Sequence, residues 1–304
     1  MKLATIQTCG GWSARVALAA LALMALSPAT AQTDLVYEPF DYAADADVDG
    51  LLATGRNLSG SYVTSSQQDL TIGSPGLSYG SLTGSLPTVS GNMLSDASLG
   101  GPGFVTVDVD QDVLIGPGEG IYFSALFRFD DTGNHVPYAT VTFIDRTSGD
   151  ELGFGERVVG SRAVSVFAST GSTAGIVAAG ASDSFVDGQT LWLLGRYLNG
   201  SAAGSDSLAL IGYDTASFAA IPAGFDLLDP RAAFSYSLDG VDIDFERISS
   251  IRFELRGAGN NFIDELRVRP VFATPVPEPS TVALMLGGLA LAGLRRKAGR
   301  RAGA

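Results

Sequence analysis

An antiparallel all-β sandwich is the fold this sequence predicts, and three observations predict it. Helical periodicity is nearly absent between residues 32 and 274. Short apolar or alternating runs there are punctuated about every ten residues by clusters of Gly, Asn, Asp, Ser and Pro, the rhythm of strands and turns. Residues 121–129 alternate: Ile121, Phe123, Ala125, Phe127 and Phe129 share one pleat face, and Tyr122, Ser124, Leu126 and Arg128 share the other. A face so rich in aromatics requires a second sheet to pack against.

Strands are predicted, in order, at 35–40, 104–109, 121–129, 138–144, 163–167, 191–198, 207–212, 248–255 and 262–268. Asp130-Asp131-Thr132-Gly133-Asn134 reads as a turn that sends 138–144 back beside 121–129. Asp145 to Asp150 reads as a second turn of the same kind, because Asp, Asn and Gly tolerate tight-turn backbone angles. The last two runs fit one hairpin. Ile251, Phe253 and Leu255 face one side, with Arg252, Glu254 and Arg256 opposite. Phe262, Leu266 and Val268 then face inward and Glu265, Arg267 and Arg269 outward. Opposite charges paired across such a ladder contribute about 0.2–1 kcal/mol each. Asp264 falls on the inward side. A buried carboxylate needs partners, so Asp264 is expected to tie strand to loop.

Of the 304 residues, the stretch 32–274 holds 12 of the 19 Lys and Arg and 31 of the 32 Asp and Glu, a formal charge of −19. That argues against nucleic acid as a partner, since its binding needs clustered cations. An acidic surface suits solubility, and also cations and neutral glycans. The only cysteine, Cys9, precedes this stretch. Its 243 residues can bury a core without disulfides, and no Pro- or Ser-rich linker divides it, so residues 32–274 are expected to form one domain.

Both ends read as delivery segments. Lys2 and Arg15 flank the apolar run from Val16 to Leu26, followed by Ser27-Pro28 and Ala29-Thr30-Ala31. This is the order of a secretory signal peptide, 1–31, with cleavage expected after Ala31. Eleven apolar residues fall short of the roughly 20 a membrane span needs. At the other end, 275–304, alternate prolines in Pro275-Val276-Pro277-Glu278-Pro279 keep the chain extended. A short hydrophobic helix, 282–294, is predicted next, then the basic Arg295-Arg296-Lys297, with Arg300 and Arg301 beyond. Such a helix rises about 20 Å against a hydrocarbon core of about 30 Å. The basic cluster should stay cytoplasmic and place the body outside.

The tail resembles the PEP-CTERM sorting signal of Gram-negative bacteria. Val276, Pro277, Glu278, Pro279, Ser280 and Thr281 stand where that signal has its Val-Pro-Glu-Pro and hydroxyl residues, with helix and arginines in place. The resemblance implies transient inner-membrane tethering and cleavage by an exosortase-type membrane peptidase, usually in organisms that make exopolysaccharide. It implies release to the cell surface or extracellular matrix. The body is similar to concanavalin A-like (laminin G-like) jelly-roll domains. Three runs carry that likeness: Glu38-Pro39-Phe40-Asp41-Tyr42, Gly76-Leu77-Ser78-Tyr79, and Phe262-Ile263-Asp264-Glu265-Leu266-Arg267-Val268. This resemblance implies a two-sheet jelly roll, and such domains commonly bind glycans.

Site chemistry is sparse. Asp45-Ala46-Asp47-Val48-Asp49-Gly50 has the alternate carboxylates of a calcium loop, and Asp45, Asp47 and Asp49 are its candidate ligands. Arg56, however, stands where such a loop needs its closing Glu, so a solvated acidic turn competes with that reading. No cofactor other than calcium is indicated. Catalysis is not expected. His135 is the single histidine and has no nucleophile motif beside it. The E-x-D-x-x-E strand signature of jelly-roll glycosidases is missing, and Glu151 and Glu156 read as exposed turn residues. Tyr122, Arg128, Trp192 and Tyr197 are the candidate glycan contacts, although Trp192, in an apolar run, also suits the core. The expected function is a non-catalytic, exported polysaccharide binder. The alternatives are a matrix protein that self-associates with calcium and a diverged polysaccharide hydrolase or lyase.

Overall fold

Alternating sequence becomes two stacked sheets because each strand has one apolar face to bury. The chain is seen in a computed structural model that describes residues 34–64, 70–79, 89–96, 102–129, 138–158, 163–169, 177–181, 188–214, 227–228, 232–256 and 261–271. The signal segment, the sorting residues Val276 to Thr281, the tail helix and Arg295-Arg296-Lys297 lie outside the described residues. So do His135 and the turns 130–134 and 257–260.

The strands are β1 (Val36–Glu38), β2 (Leu58–Thr64), β3 (Leu70–Gly73), β4 (Met93–Asp96) and β5 (Pro102–Leu114). Then come β6 (Gly120–Arg128), β7 (Tyr138–Ile144), β8 (Glu151–Val158), β9 (Ala163–Ser169) and β10 (Val177–Ala181). The last five are β11 (Thr190–Leu198), β12 (Asp206–Asp214), β13 (Phe234–Val241), β14 (Arg247–Arg256) and β15 (Phe262–Val271). An eight-stranded sheet runs β13-β12-β11-β6-β15-β4-β3, with β1 also on β15; a seven-stranded sheet runs β10-β9-β8-β7-β14-β5-β2. All pairings are antiparallel. The described residues therefore form the expected all-β, two-sheet sandwich.

The core between the sheets holds the predicted face of β6: Ile121, Phe123, Ala125, Phe127 and Phe129 are buried there with Phe143 and Phe154. Phe123 and Phe154 lie 4.7 Å apart, and Phe127 meets Phe154 edge-on at 5.6 Å. Each such pair adds about 0.5–1.5 kcal/mol beyond the area it buries. The turn at 145–150 joins β7 to β8 as predicted, with Asp145 Oδ1 accepting the Thr147 and Ser148 N–H groups.

Two predicted hairpins are absent. β14 sits between β7 and β5 in the seven-stranded sheet, whereas β15 lies in the eight-stranded sheet between β6 and β4. β6 and β7 are likewise in opposite sheets. The reason is reach: sheets stack about 10 Å apart, a distance that three or four extended residues span. A short polar connection can therefore cross the sandwich as easily as turn back. The charges pair differently in consequence. Arg252 grips Glu151 of β8 through two hydrogen bonds of 2.9 Å. Arg267 bonds Asp34 at 2.9 Å and Glu265 at 2.8 Å, and Arg269 bonds Asp34.

A bulge in β15 changes which residues face the core. The register shifts between Asp264 and Arg267, and Glu265 has φ +55°. Ile263, Leu266 and Val268 enter the main core, while Phe262 turns to the outer face and joins a second apolar cluster. Asp264 is buried and does tie strand to loop, with Oδ2 accepting the Leu77 N–H and Oδ1 the Glu265 N–H, both at 2.8 Å.

The acidic segment after β1 lies along the edges of both sheets. Asp45 and Val48 donate N–H bonds to β3, and Ala46 accepts one from Ile72. Gly50 donates to Tyr62, Leu51 accepts from Tyr62, and Ala53 donates to Gly60 of β2. One short stretch thus closes the open flank of each sheet.

Candidate functional site

The two outer faces differ in chemistry, and that difference locates the candidate site. On the eight-stranded sheet the outer face is apolar over its centre: Leu126, Trp192, Ile211, Tyr213 and Phe262 cluster there under Leu77 and Tyr79. The outer face of the seven-stranded sheet is small and polar. Its register aligns Thr106, Arg252, Thr142, Gly153 and Phe167 in one row across five strands. The next rows align Glu254, Thr140, Gly155 and Ser165, and Asp108, Ser250, Ile144 and Glu151.

The sequence makes this face by alternation and by glycine. In β8, Leu152 and Phe154 enter the core, leaving Gly153 and Gly155 outward. With no side chain at 153, the Phe167 ring lies across it; an added β-carbon would overlap that ring. Arg252 reaches diagonally over β7 to Glu151, and both side chains stay about one-quarter exposed. Two fixed planar groups, a guanidinium and a carboxylate, therefore stand beside the centre of the face. Arg146 and Asp108 form a more exposed pair at its margin.

Thr140 and Ser250 carry hydroxyls on the same side of this sheet. Both are buried, and neither Thr140 Oγ1 nor Ser250 Oγ makes a hydrogen bond. A buried hydroxyl without a partner costs about 1–3 kcal/mol. Orphans of this kind are uncommon in native proteins and mark a local cost in stability.

Glu151 and Glu156, expected as exposed turn residues, are neither equivalent nor both exposed. Glu151 lies outward against Arg252. Glu156 is fully buried, in register with Ala139 and Val164 of the core. Regular alternation along β8, with Leu152 and Phe154 inward and Gly153 and Gly155 outward, carries Glu156 into the core. Two carboxylates on opposite sides of a sheet cannot flank one glycosidic bond.

The other candidates are scattered. Tyr197 is wholly in the core, its hydroxyl donating to the Phe245 carbonyl at 3.1 Å, which corrects its assignment as a sugar contact. Trp192 is buried in the second cluster, stacked on Tyr213 at 5.5 Å, and offers no open ring face. Tyr122 is half-buried on the outer face of β6, between Arg196 and Arg269 in register. Arg128 covers the Phe262 ring at 4.1 Å. These positions do not form one surface with Arg252 and Glu151, which lie on the other sheet.

Asp45, Asp47 and Asp49 do not fit a calcium site. Asp47 Oδ1 accepts the Asp49 N–H, and Asp49 Oδ1 accepts the Thr64 N–H, each at 2.9 Å. That bond to Thr64 holds the Asp49 carboxyl below its usual value. Among the described residues, no group of three or more His, Cys, Asp or Glu is placed to hold a metal ion. Nor, among them, is any helix long and apolar enough to cross a membrane.

Comparison with known proteins gives two findings. Residues 275–301 match the PEP-CTERM protein-sorting motif, which implies export with a transient membrane-anchored sorting step and processing by an exosortase. No curated protein matches the chain. In fold the chain is similar to an endo-1,3-beta-glucanase from Streptomyces sioyaensis, at 10% identity and TM-score 0.47, covering 81% of this chain and 98% of that one. It is similar to lectin II from Ulex europaeus, at 9% identity and TM-score 0.42, covering 79% and 100%. The exoplasmic/lumenal domain of VIP36, in its Ca2+/Man-bound form, aligns at 14% identity and TM-score 0.40, covering 63% and 82%.

Proposed function

We propose that this is an exported, non-catalytic surface or matrix protein whose body binds neutral polysaccharide on the outer face of the seven-stranded sheet. One observation carries the reading: the Arg252–Glu151 pair, bonded twice at 2.9 Å and about one-quarter exposed, presents a fixed guanidinium and carboxylate among the small polar residues of that face. A sugar supplies hydroxyl donors and acceptors together, and so satisfies such groups. Planar groups of this kind fix a sugar's orientation. The charges on this face nearly balance, in a body that is otherwise strongly acidic, which favours a neutral ligand over an anionic one.

Arg252→Gln tests this reading. It should weaken binding to native exopolysaccharide about tenfold, a loss of roughly 1.4 kcal/mol. Thr140→Val, which removes a buried orphan hydroxyl while keeping the shape, should stabilise the free protein by about 1 kcal/mol and leave binding unchanged. A retention assay and calorimetry read the two effects. An Arg252→Gln variant that binds as well as the parent would sink the proposed face.

Delivery is tested separately. The sorting motif supports removal of the tail, and the charged, apolar and small-residue order of 1–31 supports removal of the signal segment. Intact-mass measurement of extracellular material should show a chain beginning near Gln32 and lacking Arg295 to Ala304. A mass that retains the arginine terminus would overturn the sorting route.

A further inference from the structure

Residues 74–79 and 89–92 form two arms over the outer face of the eight-stranded sheet, away from the proposed polysaccharide face. Leu77 and Tyr79 on one arm and Val89 on the other pack onto Leu126, Trp192 and Tyr213. Tyr79 meets Trp192 edge-on, with ring centres 5.9 Å apart.

Each arm is held by one of two consecutive carboxylates. Asp264 Oδ2 accepts the Leu77 N–H at 2.8 Å, and Glu265 Oε1 accepts the Ser90 N–H at 2.6 Å. Neighbours on a regular strand point to opposite faces. Here the bulge, with Glu265 at φ +55°, brings both to the arms. Gly76 allows the close approach: a β-carbon there would stand 2.8 Å from Asp264 Oδ2.

The groups around Asp264 are mostly acidic. Glu265 adjoins it on β15, and Glu38 reaches it from β1, itself buried and bonded to the hydroxyls of Tyr62 (2.6 Å) and Tyr42 (3.2 Å). β6 places Leu126 opposite it, and β4 carries Asp96, level with Asn261. Arg267 is the nearby cation, and it is shared between Glu265 and Asp34 with the Tyr37 ring beneath it at 4.0 Å. Burial raises the hydroxyls of Tyr37, Tyr42, Tyr62 and Tyr79 above their ordinary value, so they stay neutral in mild alkali.

We propose that the two arms are a strap over the Trp192 cluster, latched by the adjacent carboxyls of Asp264 and Glu265, and that it loosens when Asp264 ionises. Burial first, then the charges of Glu265 and Glu38, push the Asp264 acid up to about 9, against the pull of its two N–H donors. At neutral pH the closed strap therefore holds a protonated Asp264. Opening lets water reach the carboxyl and returns it toward an ordinary value. Each pH unit between about 4 and about 9 then shifts the balance about tenfold toward the open strap, and the shift ends near 9.

Hydrogen exchange in the folded protein tests this. Corrected for ordinary acceleration by hydroxide, exchange at the Leu77 and Ser90 amides should rise by about a further factor of ten per pH unit, levelling near pH 9. Trp192 is the only tryptophan after Ala31, so its quenching by acrylamide should rise in parallel while the β-sheet circular dichroism holds. The extra pH dependence should vanish in Asp264→Asn and persist in Glu38→Gln. A wild-type profile without it, or one unchanged in Asp264→Asn, would overturn the latch. Should that variant fail to fold, the wild-type profile alone decides.

Discussion

Gly155→Ala should leave little stably folded body. The backbone at Gly155 has φ +126°, a region closed to residues with a β-carbon. An added β-carbon would also overlap the Ala139 carbonyl oxygen and stand 2.9 Å from the Thr140 Cα. Both obstacles belong to the backbone of β7, so no side-chain rotation relieves them. Backbone strain of about 1–3 kcal/mol, together with disruption of the β7–β8 ladder, brings the loss to about 4 kcal/mol or more. That is comparable with the whole stability of many domains, about 5–15 kcal/mol. Gly118→Ala is the control: φ is +83°, but nothing lies within 4 Å of the new atom, so about 1 kcal/mol is expected. Urea unfolding of the two variants checks both values. Near-parental stability of Gly155→Ala would contradict the close approach of the β7 backbone at this position.

The second large effect is on global stability against pH. An ordinary aspartic acid titrates near 3.9 when unfolded, whereas Asp264 in the fold is pushed up to about 9 by burial and by its acidic neighbours. Between those values the folded state holds more protons than the unfolded one. The contribution is complete at about pH 4 and below, declines by up to about 1.4 kcal/mol per unit as pH rises, and is gone above about 9. Glu38, also raised by burial, acts in the same direction. Denaturant unfolding from pH 5 to pH 9 should therefore show a fall of several kcal/mol. In Asp264→Ala the starting stability is lower, because two N–H groups lose their acceptor, but the slope is shallower. An equal slope in the variant would assign the pH dependence elsewhere.

Local rules explain which parts of this architecture were legible in the sequence. The face of β6 is written in five alternating residues, and the 145–150 turn in its Asp and Gly positions, so both were read directly. The partner of a strand is not local information. Arg252 and Arg267 sit on runs that look like a hairpin, yet five residues between them suffice to change sheets. Bulges are hidden as well: nothing in Ile-Asp-Glu-Leu announces that Glu265 takes positive φ, so Phe262 was assigned to the wrong face. Trp192 lies in a run apolar on both sides because both sides are covered, one by the opposite sheet and one by the strap. Thr140 and Ser250 gave no signal, since an isolated hydroxyl in a strand is ordinary until its lack of a partner is seen. A Gly-x-Gly within an apolar strand, as at 153–155, was the available hint of close packing and a kink.

Export removes a protein from the chaperones that police sticky surfaces. A bare strand in that setting is an open template on which the next molecule can lengthen the sheet. The run from Asp45 to Ala53 hems β3 and β2 together, consuming their outward N–H and C=O groups. Its aspartates, which resemble a calcium loop in sequence, act as stitching and as charge repulsion along that seam. On this flank the molecule is built to stay single in a crowd.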